Sequence, residues 1–100
     1  MALYVITEVR WDDNRGEIDR VRWARADGPR NEFIEDQHEV GVDRVVEAFD
    51  HDDVVVLRFR TPAGWVAGTQ LRRKVLAGGH ENIEEEEIED GRTLRDLPIF

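Results

Sequence analysis

Over residues 3–11 apolar and polar side chains alternate. Leu3, Val5, Thr7, Val9 and Trp11 fall on one side of an extended backbone, and Tyr4, Ile6, Glu8 and Arg10 on the other. A period of two with β-branched residues predicts a strand. "DDNRG" follows, a run of turn formers in which Gly16 is free to take a positive φ. The alternation resumes in "EIDRVRWAR", with Val21 and Trp23 on one face and Arg20 and Arg22 on the other. A five-residue loop over 12–16 then predicts a hairpin that sets Val5 opposite Trp23, Thr7 opposite Val21 and Glu8 opposite Arg20. In that register apolar meets apolar and acid meets base.

"ADGPRNEFIEDQ" is a polar connection broken at Gly28-Pro29, with Phe33 and Ile34 as a short extended piece. Beyond it the period changes. Val42, Val45, Val46 and Phe49 stand at i, i+3, i+4 and i+7, the stripe of a short amphipathic helix over about residues 41–50. "DHDD" ends it, and aspartates there oppose the helix dipole, so fraying is expected. "VVVLRFR" predicts a strand with Val55, Leu57 and Phe59 inward. "TPAG" turns it into a long second strand, "WVAGTQLRRKV", weakened or bulged at Gly68. In "AGGH", Gly78-Gly79 makes a two-residue hairpin loop.

The stretch after that loop, "ENIEEEEIEDG", is ambiguous. As a strand it sets Arg73 opposite Glu84, Arg72 opposite Glu85 and Lys74 opposite Ile83, a charge ladder that fixes register. As a helix it has Asn82 as N-cap, Glu85 as capping-box partner and Gly91 beyond its end. However, Ile83 and Ile88 share no helical face, and the glutamates repel at i, i+3 and i+4. The strand over 83–90 is the expectation, with a helix or a disordered run as the alternatives. The distribution of charge favours the ladder. Residues 54–80 hold no acid and five bases, whereas residues 81–100 hold eight acids and two bases. The final "TLRDLPIF" carries Leu94, Leu97, Ile99 and Phe100, too apolar for a free tail. These elements predict one α+β domain over residues 1–100, ordered β-β-α-β-β-β. A largely antiparallel sheet packs on one short helix, and the tail, residues 93–100, docks on it.

The order of elements and the two ends resemble a small bacterial family of unknown function. Its members open on a strand like "VITEVR", continue through a "G-I--V" motif (Gly16, Ile18 and Val21 here, with shifted spacing) and close on "NL--LP-F". Thr93 stands here where that ending has asparagine, and "DHDD" replaces a glycine after the helix. The resemblance implies the fold and brings no activity or catalytic residue with it.

Composition narrows the chemistry. The chain has 100 residues, is 40% hydrophobic and 37% charged, and has a net charge of −9. That is too apolar for a disordered tail, too charged for a spanning segment, and of the wrong sign for direct binding to a phosphate backbone. There is no cysteine and no serine, and Lys74 is the only lysine. Thiolate and serine nucleophiles are therefore excluded, and Schiff-base chemistry would rest on Lys74 alone. The N-terminus has no basic segment ahead of an apolar core and reads as a strand, not a leader. His38, His51 and His80 are scattered, so a metal site made with "DHDD" is not expected. "DDNRGEID" places Asp12 and Asn14 as in a calcium loop, but Glu17 and Trp23 stand where glycine and glutamate are required. Asp52 and Asp53, like the glutamates at 84–87, fall in segments read as exposed, without the burial that acid/base work needs. No catalytic, cofactor or metal residue is assigned.

Trp11, Trp23 and Trp65 are expected in the core, with Trp11 the most exposed of the three. The function expected is a non-enzymatic accessory module of the bacterial cytoplasm that binds a protein or peptide. It would need no cofactor, touch no membrane or nucleic acid, and exist as a monomer or weak homodimer. Two other classes stay open: an acidic nucleic-acid mimic that blocks a DNA-binding protein, and a small hydrolase-like enzyme, which would need a pocket with buried titratable groups.

Overall fold

The computed structural model describes residues 2–12, 16–27, 32–86 and 93–100. Among these the elements run β1 (Leu3–Asp12), β2 (Glu17–Asp27), β3 (Glu32–Phe33), β4 (His38–Gly41), α1 (Val42–Asp50), β5 (Val54–Thr61), β6 (Gly64–Val75) and β7 (Glu81–Glu85). Short 3-10 turns stand at Ala77–Gly79 and Leu94–Asp96. The sheet has the order β3-β2-β1-β5-β6-β7, with β4 also paired to β2. Of these strand pairs only β1 and β5 run parallel. The result is a small α+β domain with a mostly antiparallel sheet and, among the described residues, one α-helix. β3 and β4 are additions to the expected order. They are too short to show a period, and each depends on β2 for its hydrogen bonds. β4 and β5 lie on opposite flanks of the β2–β1 pair, and α1 makes the crossover that such an arrangement requires.

The β1–β2 hairpin forms, but not in the predicted register. Val5 pairs with Ala24, Ile6 with Trp23, Glu8 with Arg22 and Val9 with Val21. Two bulges are responsible. Thr7 is the extra residue on β1 and Asp19 the extra residue on β2. Because side chains alternate with a period of two, one extra residue transfers everything beyond it to the other face. Ile6 and Val9 consequently both join the helix-side core, and the predicted face of Val5, Thr7 and Val9 is divided. Val5 is fully buried outside that core, and the Thr7 hydroxyl donates to the Gln37 side-chain oxygen. The stretch between β3 and β4 thus lies against β1.

α1 presents Val45, Val46 and Ala48 to the core, with Val42 and Phe49 partly buried beside them. Gly41 is its N-cap, without a side-chain cap. At the other end, the His51 amide donates to Ala48 and the Asp52 amide to Phe49. Asp50 opposes the helix dipole, as expected, but Arg73 of β6 pairs with it. That hydrogen bond, with the nearby charges of Asp50 and Glu81, raises the Arg73 pKa above its ordinary value.

β6 is bulged beside Gly68, between the Val56–Gln70 and Arg58–Ala67 pairs. A Cβ at Gly68 would come within 2.6 Å of Phe59 and 2.8 Å of Leu57. β7 is a strand over Glu81–Glu85, which sets aside the helical alternative there; residues 87–90 lie outside the described residues. The ladder is one residue off the expected pairing. Arg72 pairs with Glu84, Arg73 with Ile83 and Lys74 with Asn82. The loop holds three residues rather than two, closed by the Leu76 amide on the His80 carbonyl, with Gly78 and Gly79 both at φ +83°. The one-residue shift carries Ile83 to the core face and leaves Arg72 bonded to Glu84 at 3.2 Å.

The last eight residues run along β1 beyond the point where β5 leaves it. The Val9 amide donates to the Pro98 carbonyl at 3.0 Å, and the Phe100 amide to the Val9 carbonyl at 3.2 Å. Leu94 and Leu97 are buried at 4% and 3% exposure, whereas Ile99 is 71% exposed. The Phe100 ring lies beneath the guanidinium groups of Arg10 and Arg22, at 4.8 and 4.5 Å. No helix among the described residues is long and apolar enough to cross a membrane.

Candidate interaction surface

The β5–β6 hairpin lies in the stretch that has bases and no acid, residues 54–80. On β5, Val55, Leu57 and Phe59 enter the core, so Arg58 and Arg60 point to the opposite face. The turn is fixed locally. The Thr61 hydroxyl donates to the Gly64 carbonyl at 2.8 Å and accepts from the Ala63 amide at 3.2 Å. Gly64 takes φ +115°, which an L side chain rarely adopts. With Pro62 and Ala63 as the two loop residues, Arg60 stands directly across from Trp65.

An aromatic–arginine cluster results. The Arg60 guanidinium lies 5.9 Å from the Trp65 ring centre. The edge of Phe33, from β3, meets Trp65 at 6.1 Å and 78°. Arg58 lies 5.3 Å over Phe33 and is itself buried. Trp65 remains 43% exposed. The Arg60 side chain makes no hydrogen bond or ion pair among the described residues, unlike those of Arg20, Arg22, Arg72 and Arg73, which all hold carboxylates.

The tryptophans therefore divide differently from the expectation. Trp23 is 1% exposed and stacks on Tyr4 at 4.1 Å. Trp11 is half-buried under the Arg95 guanidinium at 4.8 Å. Trp65, expected in the core, is the exposed one. Its pairing with Arg60 was accessible from sequence, because a two-residue turn at "TPAG" dictates it. The contact with Phe33, thirty-two positions away, was not.

Apart from this cluster, a concavity of about 310 Å³ opens where the end of the β1–β2 hairpin approaches β6, β7 and the tail. Trp11, Ile18, Ile83 and Leu94 give it an apolar wall. Much of its polar lining is already committed to the fold. The Asn82 side chain donates to the Ile18 carbonyl at 3.0 Å and accepts from the Ile83 amide at 2.9 Å. Glu85 accepts the Leu94 amide at 2.7 Å, and Glu84 holds Arg72. The concavity is a seam that joins β7 to β2 and to the tail.

The histidines are all exposed: His38 on β4, His51 just after α1 and His80 before β7. Asp52 is exposed at φ +58°, and Asp53 accepts the Ala2 amide at 2.8 Å. Asp12 accepts the Gly16 amide through its backbone carbonyl, and Asn14 lies outside the described residues. Among the described residues no three histidine, aspartate or glutamate side chains gather as a metal site would require. No family model, curated protein or solved structure matches the chain.

Proposed function

We propose that this chain is a non-enzymatic module that binds another protein or a peptide through the Trp65 face of the β5–β6 hairpin. The observation that supports it is the exposure of Trp65 beside Arg60, backed by Phe33 and Arg58. Tryptophan and arginine are enriched among the residues that carry most of the binding energy at interfaces, and phenylalanine is enriched in interface composition. Scattered exposed aliphatics such as Val75 and Ile99 need no such account, since single apolar residues on a surface are ordinary. Membership of the small bacterial family with the same ends goes with this reading. So do a cytoplasmic location, a monomer or weak homodimer, and independence from metal, cofactor and nucleic acid.

The acidic-mimic alternative draws less support. Glu8, Glu39, Asp50, Glu81 and Glu84 are paired with arginines and do not form one bare acidic face. The interaction reading is tested by cross-linking in the native host with wild type, Trp65→Ala and Ile99→Ala proteins. Partners captured by wild type should be lost with Trp65→Ala and kept with Ile99→Ala. Equal capture by the Trp65→Ala protein would remove the proposal.

A further inference from the structure

Resting on that interaction reading, we infer that the Trp65 face recognises a short extended segment of a partner protein carrying a single aspartate or glutamate among apolar residues, with Arg60 as the carboxylate receptor. Three observations converge on it. The Arg60 guanidinium is held against the Trp65 ring at 5.9 Å, within the range of a cation–π contact. That contact orients a planar fork of donors without using the donors themselves. Arg60 gives none of them to another described residue. A fork held this way matches a carboxylate in two parallel hydrogen bonds. Arg58, over Phe33, is buried and engaged, so Arg60 is the available cation of the cluster. The exposed part of Trp65 supplies the apolar contact beside it.

Charge decides how acidic the partner segment is. The hairpin belongs to a stretch with no acid, so a carboxylate meets no repulsion from its sequence neighbours. The whole chain carries −9, however, and repels a polyanion at separations up to about a Debye length, roughly 10 Å at 0.1 M salt. One available guanidinium does not offset that repulsion for a run of acids or for a phosphate backbone, which needs several cations. The balance selects one carboxylate with apolar flanks.

The probe is a random twelve-residue peptide library displayed on phage, panned against the full chain, with the enriched pool then measured on wild-type and Trp65→Ala proteins. The expected result is enrichment of sequences with one Asp or Glu inside an apolar stretch. Synthesised peptides from that pool should bind at least tenfold more weakly when the acid is replaced by its amide. The difference should vanish with Arg60→Gln and return in part with Arg60→Lys. Enriched peptides without an acid, or an acid-to-amide change that leaves affinity alone, would overturn the carboxylate inference while the Trp65 surface stands. A pool that binds the Trp65→Ala protein as well as wild type would overturn both. Concentration-dependent dimers in sedimentation, dissolved by Trp65→Ala, would make a second copy of this chain the occupant and overturn the peptide assignment.

Discussion

At the scale of single residues, Gly68 is a position where even a methyl group is not neutral. A methyl group there meets Phe59 and Leu57, both buried, so neither neighbour has room to yield. Gly68→Ala should lower stability by about 1–3 kcal/mol, as overpacking does, read from the urea midpoint. An unchanged midpoint would mean that the bulge relaxes freely. Trp65 should behave in the opposite way. Being 43% exposed, it contributes less to the fold than the enclosed Trp23. Trp65→Ala should leave the protein folded, whereas Trp23→Ala should cost about 3–5 kcal/mol. Near-ultraviolet circular dichroism with thermal melting separates the two. A large loss from Trp65→Ala would indicate a structural residue and weaken the interaction proposal.

At the scale of elements, the β6–β7 ladder shows how a loop sets a register. Three loop residues instead of two put Arg72 against Glu84 and leave Glu85 to hold the Leu94 amide. A double-mutant cycle should therefore find a coupling of about 0.2–1 kcal/mol between Arg72 and Glu84, the usual size for exposed pairs. Arg72 and Glu85 should show none. The coupling should fade in 1 M salt, where the Debye length is about 3 Å. Coupling to Glu85 and not Glu84 would restore the two-residue loop. Arg73 joins the ladder to α1 through Asp50 and Glu81. Arg73→Gln should leave Asp50 facing the negative end of the helix and speed amide exchange in its last turn. Unaltered exchange would show that the helix end is held by packing alone.

At the scale of the whole molecule, the tail connects parts that are distant in sequence. Leu94 and Leu97 enter the core, Pro98 and Phe100 bond to Val9, and Glu85 holds the Leu94 amide. Deleting residues 94–100 exposes the groups that Leu94 and Leu97 cover. At about 1.5–3 kcal/mol for each buried side chain, the loss is a large part of the roughly 5–15 kcal/mol typical of a domain. The melting temperature should fall steeply or the fold be lost. Leu97→Ala should lose about 2–5 kcal/mol, while Ile99→Ala, at an exposed site, should change little. Equal effects at Leu97 and Ile99 would contradict the docking seen here.

Local pattern was enough to identify the main strands, the helical stripe of Val42, Val45, Val46 and Phe49, and the bulge beside Gly68. Each is set by the period of a single segment or by the conformational freedom of one residue. It was also enough to join the acid-free stretch to the acidic one, since complementary charges across a short turn need only sequence order. The registers were decided elsewhere. Thr7 and Asp19 look like ordinary members of their strands, and the bulges there accompany the burial of Ile6, Val9 and Trp23 in one core shared with α1. β3 and β4 exist because β2 offers them partners. The surface proposed for binding has the same origin. The "TPAG" turn sets Arg60 beside Trp65, but Phe33 reaches them from another part of the chain. Whether a tryptophan is core or surface depends on which elements cover it, and that is decided by tertiary packing rather than by the residue or its neighbours in sequence.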